Sequence, residues 1–168
     1  MGFFHKYKIK LLLNKVNKIA EKRDIQISAI EKYYSVLILL DKKDLSIKNK
    51  LESIFENSEI AMLYKRVEKD LPLKEKKNIY SYHKSDLGFG NLKRERLVKL
   101  LYRNFDLVID FSSQTAEFNY FVKKSKSTLK IGDLHSTKNY LYDLLVDRSN
   151  SDYDFIENIK LQINTLTQ

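Results

Sequence analysis

Short apolar runs alternate with amphipathic segments along this chain, and that alternation constrains its fold more than any other feature. SVLILLD (35–41) runs apolar as far as Asp41, and DLVIDF (106–111) carries Asp110 near its end. Continuous runs of this length fit strands covered on both faces. EIAMLYKRV (59–67), IYSYH (79–83) and STLKIGD (127–133) read as further strands. YLYDLLVD (140–147) suits strand or helix and is assigned to strand. Between the runs, LSIKNKLESIFEN (45–57), LKRERLVKLLYR (92–103), TAEFNYFVKKS (115–125) and DYDFIENIKLQINTL (152–166) repeat apolar residues at helical spacing. Asp44 stands where the first of these helices needs a cap. LPLKEKKN (71–78), KSDLGFGN (84–91) and HSTKN (135–139) read as loops. Strands alternating with helices imply a three-layer α/β sandwich: a mostly parallel, Rossmann-like sheet of five or six strands with helices on both faces. The expected core includes Val36, Ile38, Leu107, Ile109, Phe118, Phe121 and Ile131.

The first residues are different in kind. Residues 5–23 read as a helix with Ile9, Leu12, Leu13, Val16, Ile19 and Ala20 on one face. Lys6, Lys8, Lys10, Lys15, Lys18, Lys22 and Arg23 fill the other side. Against Glu21 and Asp24, these seven basic residues give residues 1–24 a net charge of +5, over half of the +9 carried by the whole chain. The expected organisation is a basic amphipathic arm (1–30) followed by one Rossmann-like domain (31–168).

Composition removes some chemistry and leaves other chemistry open. There is no Cys, so disulfides, thiol nucleophiles and Cys-ligated zinc are excluded. No apolar run approaches the roughly 20 residues of a membrane-spanning helix, and MGFFHKYKIKLLLNKV lacks the cleavage site of a signal peptide. Six arginines leave 25 of the 31 basic residues as lysine. Lysine is a hydrated, mobile charge, so the excess favours diffuse attraction to an anionic surface over a forked clamp. A chain rich in Lys, Ile and Asn is also what nucleotide bias in a genome produces. The expected location is cytoplasmic, with peripheral attachment to an inner membrane surface as the alternative.

FDLVIDF, a polar turn, a helix and then KSKSTLKIG resemble the strand–helix–strand unit in the N-terminal half of heptosyltransferase-like glycosyltransferases, over residues 105–132. A longer likeness is to a small uncharacterised bacterial family of short basic α/β proteins. It takes in the Lys-rich first helix, SVLILLD, YHKSDLGFG, FDLVIDF and the KIG strand. The first resemblance implies a Rossmann-like fold. Its chemistry is not implied: a Gly-rich loop with a general-base Asp is expected after the first strand, and this chain has Asp41-Lys42-Lys43-Asp44. Where Gln-Gly is usual after the later strand, it has Ser112-Ser113.

Ligands of open parallel sheets bind beyond the carboxyl ends of the strands. The residues there form the candidate ligand rim: Asp41, His83, Asp86, Ser112, Gln114 and His135, with Asp110 and Asp133 beside them. An Asp within reach of a His is capable of acid–base work, yet the same residue types make turns and helix caps. No complete catalytic set is assembled from them, no metal-ligand spacing such as HxH occurs, and no cofactor is expected. Gly88-Phe89-Gly90 matches no phosphate-loop pattern. Lys93, Arg94 and Arg96 gather at the start of a helix, where cations oppose its dipole unless an anion binds. Lys123, Lys124, Lys126 and Lys130 cluster at a helix-to-strand turn. FFHKYKIK and LLYRNF interleave aromatic and basic residues, as base-stacking surfaces do. The leading expectation is a non-enzymatic protein that engages a polyanion through the arm lysines, Lys93, Arg94, Arg96 and the lysines at 123, 124 and 126. RNA or a ribosomal surface is the expected partner, with an anionic membrane or a protein also open. The alternative is a degenerate transferase-like domain that binds a sugar or nucleotide.

Overall fold

The computed structural model describes residues 25, 27–67, 77–88, 91–113, 115–148 and 151–167. The expected arm helix (5–23), most of the 71–78 loop, Phe89, Gly90 and Gln114 lie outside them. Six strands form one sheet: β1 (Ser35–Leu40), β2 (Glu59–Lys65), β3 (Ile79–Tyr82), β4 (Asn104–Asp110), β5 (Lys126–Asp133) and β6 (Leu144–Val146). Their order is β3-β2-β1-β4-β5-β6 and every pairing is parallel. The helices are α1 (Leu45–Ile54), α2 (Glu95–Tyr102), α3 (Ala116–Lys124) and α4 (Asp152–Leu166).

Side-chain alternation along each strand divides the core in two. Leu37, Leu39, Ala61, Leu63 and Val108 pack with α2 and α3. Val36, Ile38, Leu40, Met62, Leu107 and Ile109 pack with α1 and α4 on the opposite face. The sheet is therefore the middle of three layers, and the continuous apolar runs are explained by burial on both sides. Every expected core residue is fully buried. Asp44 caps α1 by accepting from Ser46 N at 2.9 Å, and Ser151 caps α4 by accepting from Asp154 N at 3.1 Å.

The structure corrects three expectations. Residues 140–147 are not one strand: a 3-10 turn spans Asn139–Leu141, and only Leu144–Val146 joins the sheet. The cause is a close packing contact. Tyr142 lies flat over Gly132, where a Cβ would sit 2.5 Å from the ring, so the chain must arch above β5 before pairing with it. The helix expected at 92–103 starts at Glu95, because Leu92 forms a bridge with Leu87 that closes a small turn. Lys130 is not part of a surface cluster. It is buried on the face covered by α3, and its Nζ donates to Val122 O at 2.6 Å, satisfying a carbonyl near the end of that helix.

Candidate functional site

The strand order reverses between β1 and β4, which places the crevice of a parallel sheet beyond Asp41 and Asp110. In this chain the exposed residues Asp41 and Ser113 are joined at that point. Ser113 donates to Asp41 twice at 2.8 Å, from N to Oδ2 and from Oγ to Oδ1. Below this clasp the Asp110 carboxylate is 2 % exposed. It accepts from Ser112 N at 2.8 Å and from the Tyr142 hydroxyl at 2.6 Å. Burial pushes the Asp110 carboxyl above its ordinary range, opposed by the hydrogen bonds from Ser112 and Tyr142. Burial and the neighbouring Asp110 also push the Tyr142 hydroxyl up.

The same geometry disfavours phosphate. In dinucleotide-binding sheets the pyrophosphate rests on amides at the first helix N-terminus, approached through glycines. Here residues 41–44 contain no glycine. Asp44 already accepts from the first turn of α1, and its bond with Ser46 holds the carboxyl low. Asp41 and Asp44 add carboxylates where a phosphate would need positive potential, with Lys42 and Lys43 between them. Ser112 and Ser113 make the turn out of β4 but do not cap the next helix; Thr115 holds that position, without a side-chain cap bond.

The remaining rim residues do not converge on this point. His83 and Asp86 follow β3 at one edge, and His135 follows β5 beyond the switch point. β3 and β5 are four strand spacings apart, about 19 Å, so the two histidines do not share a metal. His83 and Asp86 form a capping box: the Asp86 carboxylate accepts from His83 N at 2.8 Å, and His83 Nδ1 sits 2.8 Å from Ser85 Oγ. Arg66 and Arg94 lie 3.6 and 3.7 Å from the same Asp86 oxygen. The exposed His135 ring pairs with Asp147 at 3.2 Å, not with Asp133, whose carboxylate accepts from His135 N.

The basic residues divide into two sets. Lys93, Arg94 and Arg96 do not crowd the first turn together. Lys93 precedes the helix and Arg94 is its N-cap residue. Arg94 donates to Ser81 O at 3.1 Å, and Arg96 lies over the Tyr80 ring at 4.6 Å. Both arginines thus fasten α2 to β3. Lys123 and Lys124 end α3, and Lys126 opens β5. Lys123 Nζ stands 5.4 Å from the Tyr140 ring centre and Lys126 Nζ 5.9 Å from that of Tyr102. Those two tyrosines are 67 % and 68 % exposed, so most of each ring is open to a partner. Lys124 and Lys126 also border a cavity of about 230 Å³ between α2 and α3. The arm lysines at 6, 8, 10, 15 and 18 lie outside the described residues.

Sequence reasoning located the three lysines but missed the cavity beside them. Tyr102 was visible in the aromatic–basic run LLYRNF; Asn91 and Tyr120, which also line the cavity, gave no signal of their own. The Tyr142–Asp110 contact was missed as well, although a glycine inside a strand, Gly132, signals close approach by another group.

These features define a class: a three-layer, Rossmann-like α/β protein whose strand-end carboxylates Asp41 and Asp110 are bonded within the chain, with lysines and open tyrosines beside a cavity on one helical face. Residues 3–165 match the model of a family of unknown function (DUF6913), and the chain belongs to that family. No curated protein and no solved structure matches it. Among the described residues, no helix is long and apolar enough to cross a membrane.

Proposed function

We propose that the protein is a non-enzymatic binding protein that engages an anionic partner, with RNA foremost. The observation that carries this reading is the surface formed by Lys123, Lys124 and Lys126 with the exposed rings of Tyr102 and Tyr140. Cations beside open aromatic faces suit a chain that offers phosphates and flat bases in alternation. The +5 arm adds attraction of the same sign. The strand-end rim supports a non-catalytic reading, because Asp110, His83 and Asp86 are each committed to holding a turn or a neighbouring segment.

The test is binding of total RNA across a salt series. The parent should lose affinity steeply as salt rises. Changing Lys6, Lys8, Lys10, Lys15 and Lys18 to Gln should flatten that dependence by about one unit of slope for each phosphate no longer neutralised, and so should changing Lys123, Lys124 and Lys126. Unchanged binding by both variants would show that the charge is a by-product of composition.

The transferase-like reading keeps one point in its favour: β4, α3 and β5 form the strand–helix–strand unit of the resemblance. On that reading a nucleotide-sugar raises the melting temperature. The Asp41–Ser113 clasp weighs against it.

A further inference from the structure

We infer that the cavity between α2 and α3 receives a base of a single-stranded nucleic acid, with Lys124 and Lys126 on the flanking phosphates. The inference rests on the polyanion reading and names the part of the partner that this site would take. The cavity measures about 230 Å³. A dry cavity of about 150 Å³ holds benzene, and sites for drug-sized ligands begin near 300 Å³. The space therefore suits one ring system with part of its sugar.

The lining is arranged for such a group. Leu92, Val98 and Leu101 supply apolar surface, and Tyr102 and Tyr120 supply aromatic rings. Asn91 adds an amide, the side chain best suited to a base edge because it both donates and accepts. The Tyr120 hydroxyl, like any tyrosine, is neutral at neutral pH, and burial pushes it further up, to about 12. Among the described residues, no carboxylate lines the cavity, and its two charged residues are both lysines. An apolar floor with cations on one side fits a flat ring joined to an anionic backbone. A base held in a duplex stack cannot enter, so the site favours single strands.

Gly88 belongs to the same device. A Cβ at this position would meet Asn91 Oδ1 at 2.3 Å and Asn91 O at 3.1 Å. Its N–H donates to Asn91 O at 2.8 Å, so the turn brings Asn91 close against the glycine and to the cavity edge.

The test is fluorescence anisotropy with the full chain and two labelled strands of equal length and charge: a mixed-sequence single-stranded RNA and a strand built of abasic units. Inorganic polyphosphate serves as a third, unlabelled competitor. The parent should bind the intact strand about tenfold more tightly than the abasic one, the scale of one stacked base. Tyr102→Ala, at an exposed position, and Val98→Phe, which fills the cavity, should each remove that preference without altering the salt slope. Lys124→Gln with Lys126→Gln should lower the slope for both strands. Equal binding of the two strands by the parent, or a preference that survives Tyr102→Ala, would overturn the base pocket while leaving the polyanion reading intact. Failure to bind either strand or polyphosphate would remove both.

Discussion

The carboxyl ends of β1 and β4 and the cavity between α2 and α3 both carry polar groups, yet they have opposite character. At the strand ends the two carboxylates meet donors from the same chain. Asp41 accepts twice from Ser113, and Asp110 accepts from Ser112 and from Tyr142. Between the helices, Lys124 and Lys126 border open space, and Tyr102 turns most of its ring to solvent. A buried polar group must be hydrogen-bonded somewhere, and a group committed internally has little left for a ligand. The strand-end carboxylates Asp41 and Asp110 are engaged within the chain, and the cationic, aromatic surface lies on a helical layer.

That contrast breaks most sharply at Gly132. If the strand-end network is structural, Gly132→Ala should destabilise the protein by about 3–4 kcal/mol, measured by urea unfolding. The new methyl would collide with the Tyr142 ring, 2.5 Å away, and lift its hydroxyl from Asp110. In a Tyr142→Ala background the ring is gone, so the same change should cost under about 1 kcal/mol. A full cost in both backgrounds would show that the ring contact is not the reason for the glycine.

Tyr142→Phe comes next. It keeps the ring but removes a donor from a buried carboxylate, so about 2 kcal/mol should be lost. The loss should be smaller when Asp110 is already Asn, since a neutral amide left without the hydroxyl costs less than a carboxylate left without its donor. Equal losses in the two backgrounds would mean that the hydroxyl and Asp110 do not act together.

The sheet was legible in the sequence for a physical reason. Parallel strands buried on both faces need long apolar runs, and VLILL (36–40) and LVI (107–109) supply them. Asp44 was legible because capping is a local interaction. The contacts that set the character of the two regions are long-range. Nothing near Asp110 announces Tyr142, which lies 32 residues away. Lys130 looked like surface charge because Lys123, Lys124 and Lys126 stand a few residues before it, yet register places it opposite Val108 on a covered face. Arg94 and Arg96 looked available for anions until β3 came alongside them. The three lysines at 123, 124 and 126 were visible as a cluster, but the cavity beside them needs α2, a separate helix whose approach no local pattern reports.

The smallest expected effect is the most specific. Asp110→Asn nearly preserves shape, and the amide satisfies both neighbours: its oxygen accepts from Ser112 N, and its NH₂ donates to the Tyr142 hydroxyl. At neutral pH the stability should change by no more than about 1 kcal/mol. The pH profile should change in a definite direction. Burial raises the Asp110 carboxyl above its ordinary 3.8, so the folded chain takes up this proton at a higher pH than the unfolded chain. Between those two values the folded state binds more protons. The stability linked to this group is therefore complete below 3.8 and is lost as pH rises through the folded value. Asn has no such proton. Parent stability minus variant stability should thus increase as pH falls through the folded value toward the ordinary 3.8, then level off. Parallel profiles would show that Asp110 titrates normally despite its burial. A loss of several kcal/mol at neutral pH would show that the negative charge itself holds the strand-end network together, and the rim would then regain a claim to a cationic ligand.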